Sequence, residues 1–133
     1  MDVYYKQIRS IAEFAVPVWN SSLTGDGISK LERLQKIALH IILSENYKSY
    51  NSALKSLGMN KLSDRRRKMC LNFAKKAQKH EKFSTWFRLN PRNKTRQKQP
   101  KFCNVLCKKV RFEKSPLCYM TNLLNNFYDK QTK

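Results

Sequence analysis

The chain has 133 residues, of which 41% are apolar, enough for one domain with a modest core; it has no apolar run of about 18 residues, which excludes a membrane-spanning helix. Twenty-eight Lys and Arg against nine Asp and Glu leave a net charge of +19, which a chain without an anionic partner has little use for. The surplus is lopsided: residues 1–58 hold seven basic and five acidic side chains, and residues 59–133 hold twenty-one and four. A surface that repels itself this strongly suits a polyanion, nucleic acid before an anionic membrane. The opening MDVYYKQIRS has no basic segment leading into an apolar one, so the expected setting is intracellular, nuclear or cytoplasmic and not secreted. Four cysteines are then expected as reduced thiols.

In chain order, residues 3–22 place Tyr4, Ile8, Ile11, Ala12, Ala15 and Trp19 at helical spacing. Pro17 has no N–H for the carbonyl of Glu13 and disfavours a helical Val16, so the helix either ends near Ala15 or kinks there. A second helix follows a glycine turn, capped by Thr24 or Asp26. Its apolar stripe is Ile28, Leu31, Leu34, Ile37, Ala38, Ile41 and Ile42, with His40 at the boundary. Ser49 caps a short third helix with Tyr50, Ala53, Leu54 and Leu57 on one face, and Gly58 supplies a left-handed stop.

A fourth helix is predicted from about Lys61 to His80. Its apolar face holds Leu62, Met69, Cys70, Phe73, Ala74 and Ala77; the other carries Arg65, Arg66, Arg67, Lys68, Lys75, Lys76 and Lys79. The aromatic FSTWF at 83–87 should dock on the bundle, and the acid-free RLNPRNKTRQKQPK reads as a flexible basic linker. FCNVLCKKVRF is expected to be extended, with Phe102, Val105, Val110 and Phe112 turned inward. Ser115–Pro116 then starts a last helix over about 116–128, with Leu117, Met120, Leu123, Leu124 and Phe127 on one face. The expected fold is all-α: a small bundle of four to five helices over 1–89, a basic linker over 90–101, an extended segment plus a docked C-terminal helix over 102–128, and a disordered tail over 129–133. Trp19, Leu31, Leu34, Ile41, Phe73 and Leu124 are assigned to its core.

Catalytic constellations are missing from the sequence: there is no plausible carboxylate pair, glycine-rich phosphate loop or Ser-His-Asp pattern. Cys103, Cys107 and Cys118 with Cys70 or His80 would make four metal ligands, but the paired spacing of a zinc site is lacking. No catalytic residue, metal or cofactor is assigned. The candidate function therefore rests on cations: Arg65, Arg66, Arg67, Lys68, Lys75, Lys76 and Lys79 on the fourth helix, with Arg92, Lys94, Arg96 and Lys98 as a second patch. Each would neutralise a phosphate without reading bases.

The stretch YKQIRSIAEFAVPVWNSSLTGDGISKLERLQKIALHIIL resembles the region downstream of the polymerase core in jockey-like, LINE-type (non-LTR) retrotransposon reverse transcriptases. The matching positions are Tyr5, Ile8–Arg9, Glu13-Phe14-Ala15-Val16-Pro17-Val18-Trp19, Leu31–Glu32, Gln35 and Ala38, with Phe14 where Tyr is common. LKSLGMNKLSDRRRKMCLNFAKKAQKHEKFSTWF is similar to the family's Leu-Gly, Leu-x-x-Arg-Arg and Phe-x-x-Lys segments, and KSPLCYMTNLLN to its Ser-Pro-x-x-Tyr-x-x-x-Leu-Leu-Asn close. The resemblance covers about residues 4–126. It implies a helical, thumb-distal region that contacts template or target RNA or DNA. The Tyr-x-Asp-Asp turn and the endonuclease have no counterpart, so it also implies a non-catalytic fragment, a partner for the rest of a reverse transcriptase. Apolar surface left bare by the missing parts would give weak self-association. The alternatives are a degenerate retroelement relic and a protein-interaction module with no independent activity.

Overall fold

Helical periodicity dominates the sequence, and the computed structural model, which describes residues 2–91 and 100–131, is all-α. Among the described residues the β-type pairing is a single antiparallel bridge, Leu89 to Phe102. The chain divides into two compact units, Met1–Val16 with Leu23–Lys68, and Pro17–Ser22 with Met69–Lys133. The division falls inside a helix, between Lys68 and Met69.

The first unit opens with π-helical turns over Tyr4–Arg9 that run into α1 (Ser10–Glu13). The chain then breaks and restarts. Phe14 is extended (ψ 129°), Ala15 takes a left-handed φ of 48°, and α2 (Val16–Trp19) begins immediately after. A non-glycine residue in that region is strained by about 1–2 kcal/mol. Val16 repays some of this by burying its side chain completely.

Thr24 caps α3 (Gly25–Leu43), its hydroxyl accepting from the Gly27 N–H at 3.2 Å. Ser49 caps α4 (Tyr50–Ser56) by accepting from the Ser52 N–H, and Gly58 at φ 61° ends it while the Met59 N–H donates to the Leu54 carbonyl. Leu39, Ala53 and Leu54 form the core here, flanked by Leu43, Tyr47, Tyr50, Leu57 and Met59. The inward arc of α3 is Gln35, Ala38 and Leu39. Leu34, Ile37 and Ile41, expected inside, are 51%, 47% and 71% exposed. They lie at i, i+3 and i+7, so α3 carries a second apolar face on the solvent side.

The helix α5 (Leu62–Lys79) contributes Ala74 and Ala77 to the core of the second unit, with Phe87, Phe102, Met120 and Leu124. Two short helices, α6 (Glu81–Ser84) and α7 (Val110–Glu113), precede α8 (Pro116–Gln131). As predicted, the Ser115 hydroxyl faces the N–H of Cys118 at the start of α8. That helix runs on to Gln131, so Asp129–Gln131 is helical where a disordered tail is expected. The predicted extended segment is only partly so: Phe102 is buried, but Val110 and Phe112 face solvent on a helical turn. Trp19 is half-buried and Phe73 exposed, both corrections to the expected core, whereas Leu124 is fully buried.

Candidate nucleic-acid interface

A phosphate contact needs a cation that is exposed and not already committed to a carboxylate. Of the eleven predicted cations, the first unit contains four. Arg65 is committed: its Nε and Nη2 donate to the two carboxylate oxygens of Glu13 at 2.5 and 3.0 Å, a bidentate pair that Arg9 joins at 3.8 Å. The Glu13 carboxylate holds the Arg65 guanidinium above its already high range. Arg66 is 1% exposed and cannot reach a strand of nucleic acid. The reason lies in the spacing: Leu62, Arg66 and Cys70 are four residues apart and share one helix face, so placing Arg66 opposite Cys70 is corrected. Arg67 and Lys68 are exposed and make no ion pair among the described residues.

The second unit holds Lys75, Lys76 and Lys79. The Lys75 ammonium lies 3.3 Å from the centre of the Phe127 ring, a cation–π contact that partly desolvates it. Lys76 and Lys79 are exposed, one turn apart, with no ion pair among the described residues. Arg92, Lys94, Arg96 and Lys98 lie outside the described residues. The cations that helix-by-helix reading passes over are Lys82 and Arg88, both exposed, on either side of a 49% exposed Trp86. Trp86 rests against Phe83 (centroids 4.8 Å apart), which in turn rests against His80 at 5.1 Å. The signal for this group was in the sequence: a Trp between two cations in a loop, read only as a docking element.

The best-built polar cluster belongs to the first unit and has a structural role. The first N–H groups of a helix lack intrahelical partners. In α5 they are met from α3: the Ser63 N–H donates to Glu32 Oε1 at 2.6 Å, and the Leu62 N–H donates to Gln35 Oε1 at 3.0 Å. Gln35 Nε2 donates to the Asn60 carbonyl, and the Tyr50 hydroxyl donates to Glu32 Oε2 at 2.6 Å. Burial acts to raise the Glu32 pKa, but the hydrogen bonds from Tyr50 and Ser63 outweigh it and hold the carboxyl below its ordinary range. The same burial and bond push the Tyr50 hydroxyl far up. An open cavity of about 450 Å³ lies beside it, lined by Glu32, Lys36, Ser49, Tyr50, Asn51, Lys61 and Ser63. The Glu32 carboxylate already occupies the anion position at the start of α5, so the cavity has no vacant phosphate cradle.

Among the described residues no group of three His, Cys, Asp or Glu side chains gathers at metal-binding distance, and no helix is long and apolar enough to cross a membrane. No protein-family model, curated protein or solved structure matches the chain.

Proposed function

We propose that the chain is a non-catalytic, nucleic-acid-binding segment from the C-terminal region of a LINE-type reverse transcriptase, holding phosphates through exposed lysines and arginines. The observation that carries this reading is the uncommitted charge of the second unit. It has sixteen basic and three acidic residues, and Lys76, Lys79, Lys82 and Arg88 are all exposed and without ion pairs among the described residues. Trp86 between the last two offers a face on which an unpaired base can stack, which favours single strands over duplex. The resemblance of residues 4–126 to the retrotransposon family supplies the choice of polyanion.

The test is affinity for duplex DNA, single-stranded DNA and hairpin RNA across a salt series, for the wild type and for Lys76→Gln with Lys79→Gln. Neutralising two phosphate contacts should flatten the slope of log affinity against log salt by roughly 1.5–2. A wild type that does not bind near physiological salt, or a slope unmoved by the double variant, would leave these lysines as solvated surface only.

The solvent-side face of α3 favours a second reading, a protein-interaction module. Leu34, Ile37 and Ile41 form an apolar strip of the kind that soluble proteins seldom leave open without a use. Sedimentation equilibrium distinguishes it: association that Ile41→Lys abolishes, with salt-insensitive behaviour towards nucleic acid, would favour this reading over the first.

A further inference from the structure

Four cysteines are free, and the fold treats them differently. Cys70 is fully buried on α5, and the Cys103 thiol faces the Leu89 carbonyl at 3.6 Å. Cys107 and Cys118 face each other. Their Sγ atoms are 3.2 Å apart, and Cys107 also contacts the Val105 carbonyl at 3.2 Å. This approach is imposed by local structure. The turn of α7 carries the chain round, and the Ser115–Pro116 start of α8 sets Cys118 in its first turn, where the Ser115 hydroxyl faces the Cys118 N–H. One thiol donates a hydrogen bond to the other. The Cys107 pKa is pushed up to about 11, first by that hydrogen bond and then by burial and the charge of Cys118.

We infer that Cys107 and Cys118 are a reversible redox clasp, closing to an intrachain disulfide when the chain meets a peroxide and reopening with a dithiol reductant. Closure requires the sulfurs to approach by only about 1 Å to reach bonding distance. In the first step the peroxide O–O bond breaks. One oxygen bonds to the Cys107 sulfur, selected by its exposure while its raised pKa keeps the step slow, to give a sulfenic acid, and the other leaves as water with the thiol proton. In the second, the Cys118 sulfur displaces the sulfenic oxygen, which departs as a second water carrying the Cys118 proton. Two thiols are oxidised by two electrons and one peroxide becomes two waters, so the step balances.

The bond would close a ring that contains Lys108, Lys109, Arg111 and Lys114, all exposed, together with α7 and the start of α8. It would join the most basic described loop of the second unit to a helix packed on that unit's core through Met120 and Leu124. Local openings that expose such a loop are reduced when its ends are tied.

The test uses the full reduced chain treated with hydrogen peroxide in slight molar excess, followed by mass spectrometry of chymotryptic peptides without reduction. The expected result is one dominant cross-link joining the Cys107 and Cys118 peptides, two hydrogens lighter than their sum and reversed by dithiothreitol. Tryptic cleavage after Lys108, Lys109, Arg111 and Lys114 should slow by about tenfold on oxidation. Cys118→Ser should lose the cross-link and the protection, and Cys103→Ser should keep both, each with wild-type helix content by circular dichroism. Cross-links to Cys70 or Cys103 at equal frequency would overturn the inference. So would a helical chain that stops at sulfenic or higher acids, or protection that survives in Cys118→Ser.

Discussion

In the first unit charges meet partners: Arg65 grips Glu13 with two bonds, Glu32 accepts hydrogen bonds from the Tyr50 hydroxyl and the Ser63 N–H, and Arg66 is drawn fully inside. In the second the cations meet rings or water. Lys75 lies over Phe127 and Lys101 over Tyr128 at 3.6 Å, while Lys76, Lys79, Lys82 and Arg88 stand clear. Their cores differ to match. The first has a small aliphatic cluster around Leu39, with Tyr4 buried elsewhere in it, and joins its helices through polar bonds; the second packs Phe87 and Phe102 around Leu124. The same residue types therefore brace the first region, where Arg67 and Lys68 still stand exposed, and leave the second with more unpaired charge at its surface. An unmatched positive surface is affordable where aromatic packing, and not charge pairing, secures the fold.

The sharpest way to break this contrast is at a polar joint within the aromatic core. Asn125 is buried, accepts from the Phe102 N–H at 2.9 Å and donates back to the Phe102 carbonyl at 3.1 Å. Asn125→Ala leaves both backbone groups buried without partners and should destabilise the second unit by about 2–3 kcal/mol. Hydrogen exchange should show the loss in α8 and around Phe102. An equal loss of protection in α3 and α4 would mean that the two units do not differ as described.

Next in size is Glu32. Its folded pKa is depressed, so its stabilisation is full above the ordinary carboxyl value of 4.5 and disappears as pH falls through the lower folded value. Glu32→Gln should lower stability by about 1–2 kcal/mol at neutral pH, because the amide oxygen is a weaker acceptor and its NH2 opposes a donor. Urea unfolding should then show a smaller fall in stability from neutral pH to about pH 3 in the variant than in the wild type. Identical pH profiles would remove Glu32 from the account of the first unit. The smallest effect belongs to the Glu13–Arg65 pair, whose arginine remains 31% exposed. A double-mutant cycle with Glu13→Gln and Arg65→Met should give a coupling of about 1 kcal/mol, reduced by salt, and a coupling of zero would make the pair incidental.

Much of the local structure is written in short-range chemistry. Thr24, Ser49, Gly58 and Ser115 each mark a helix end through atoms a few residues away, which is why those ends can be read from sequence. What resists reading is which of two apolar faces a helix buries. On α3 the stripe through Leu34, Ile37 and Ile41 is the more hydrophobic, yet the face with Gln35 goes inside, because Gln35 has the start of α5 to serve. The site followed the same rule. Arg65 and Arg66 look like surface cations until Glu13, 52 residues earlier, and the four-residue spacing to Leu62 and Cys70 are considered. In the fold Glu13, Glu32 and Gln35 are the joints of the first unit.

Those joints also set a timetable for a chain made from its N-terminus onward. Every bond from Glu32 and Gln35 to the start of α5 has its earlier partner already in place when Leu62 and Ser63 emerge, 27 to 31 residues later. The Asn125 bonds to Phe102 wait for α8, and the contact between Asn20 and Tyr119 waits across 99 residues. During synthesis the first unit can close its seams early, while Phe87 and Phe102 stay uncovered until the last helix arrives. A chain released before residue 116 would present those two rings, and a holding chaperone should engage it there.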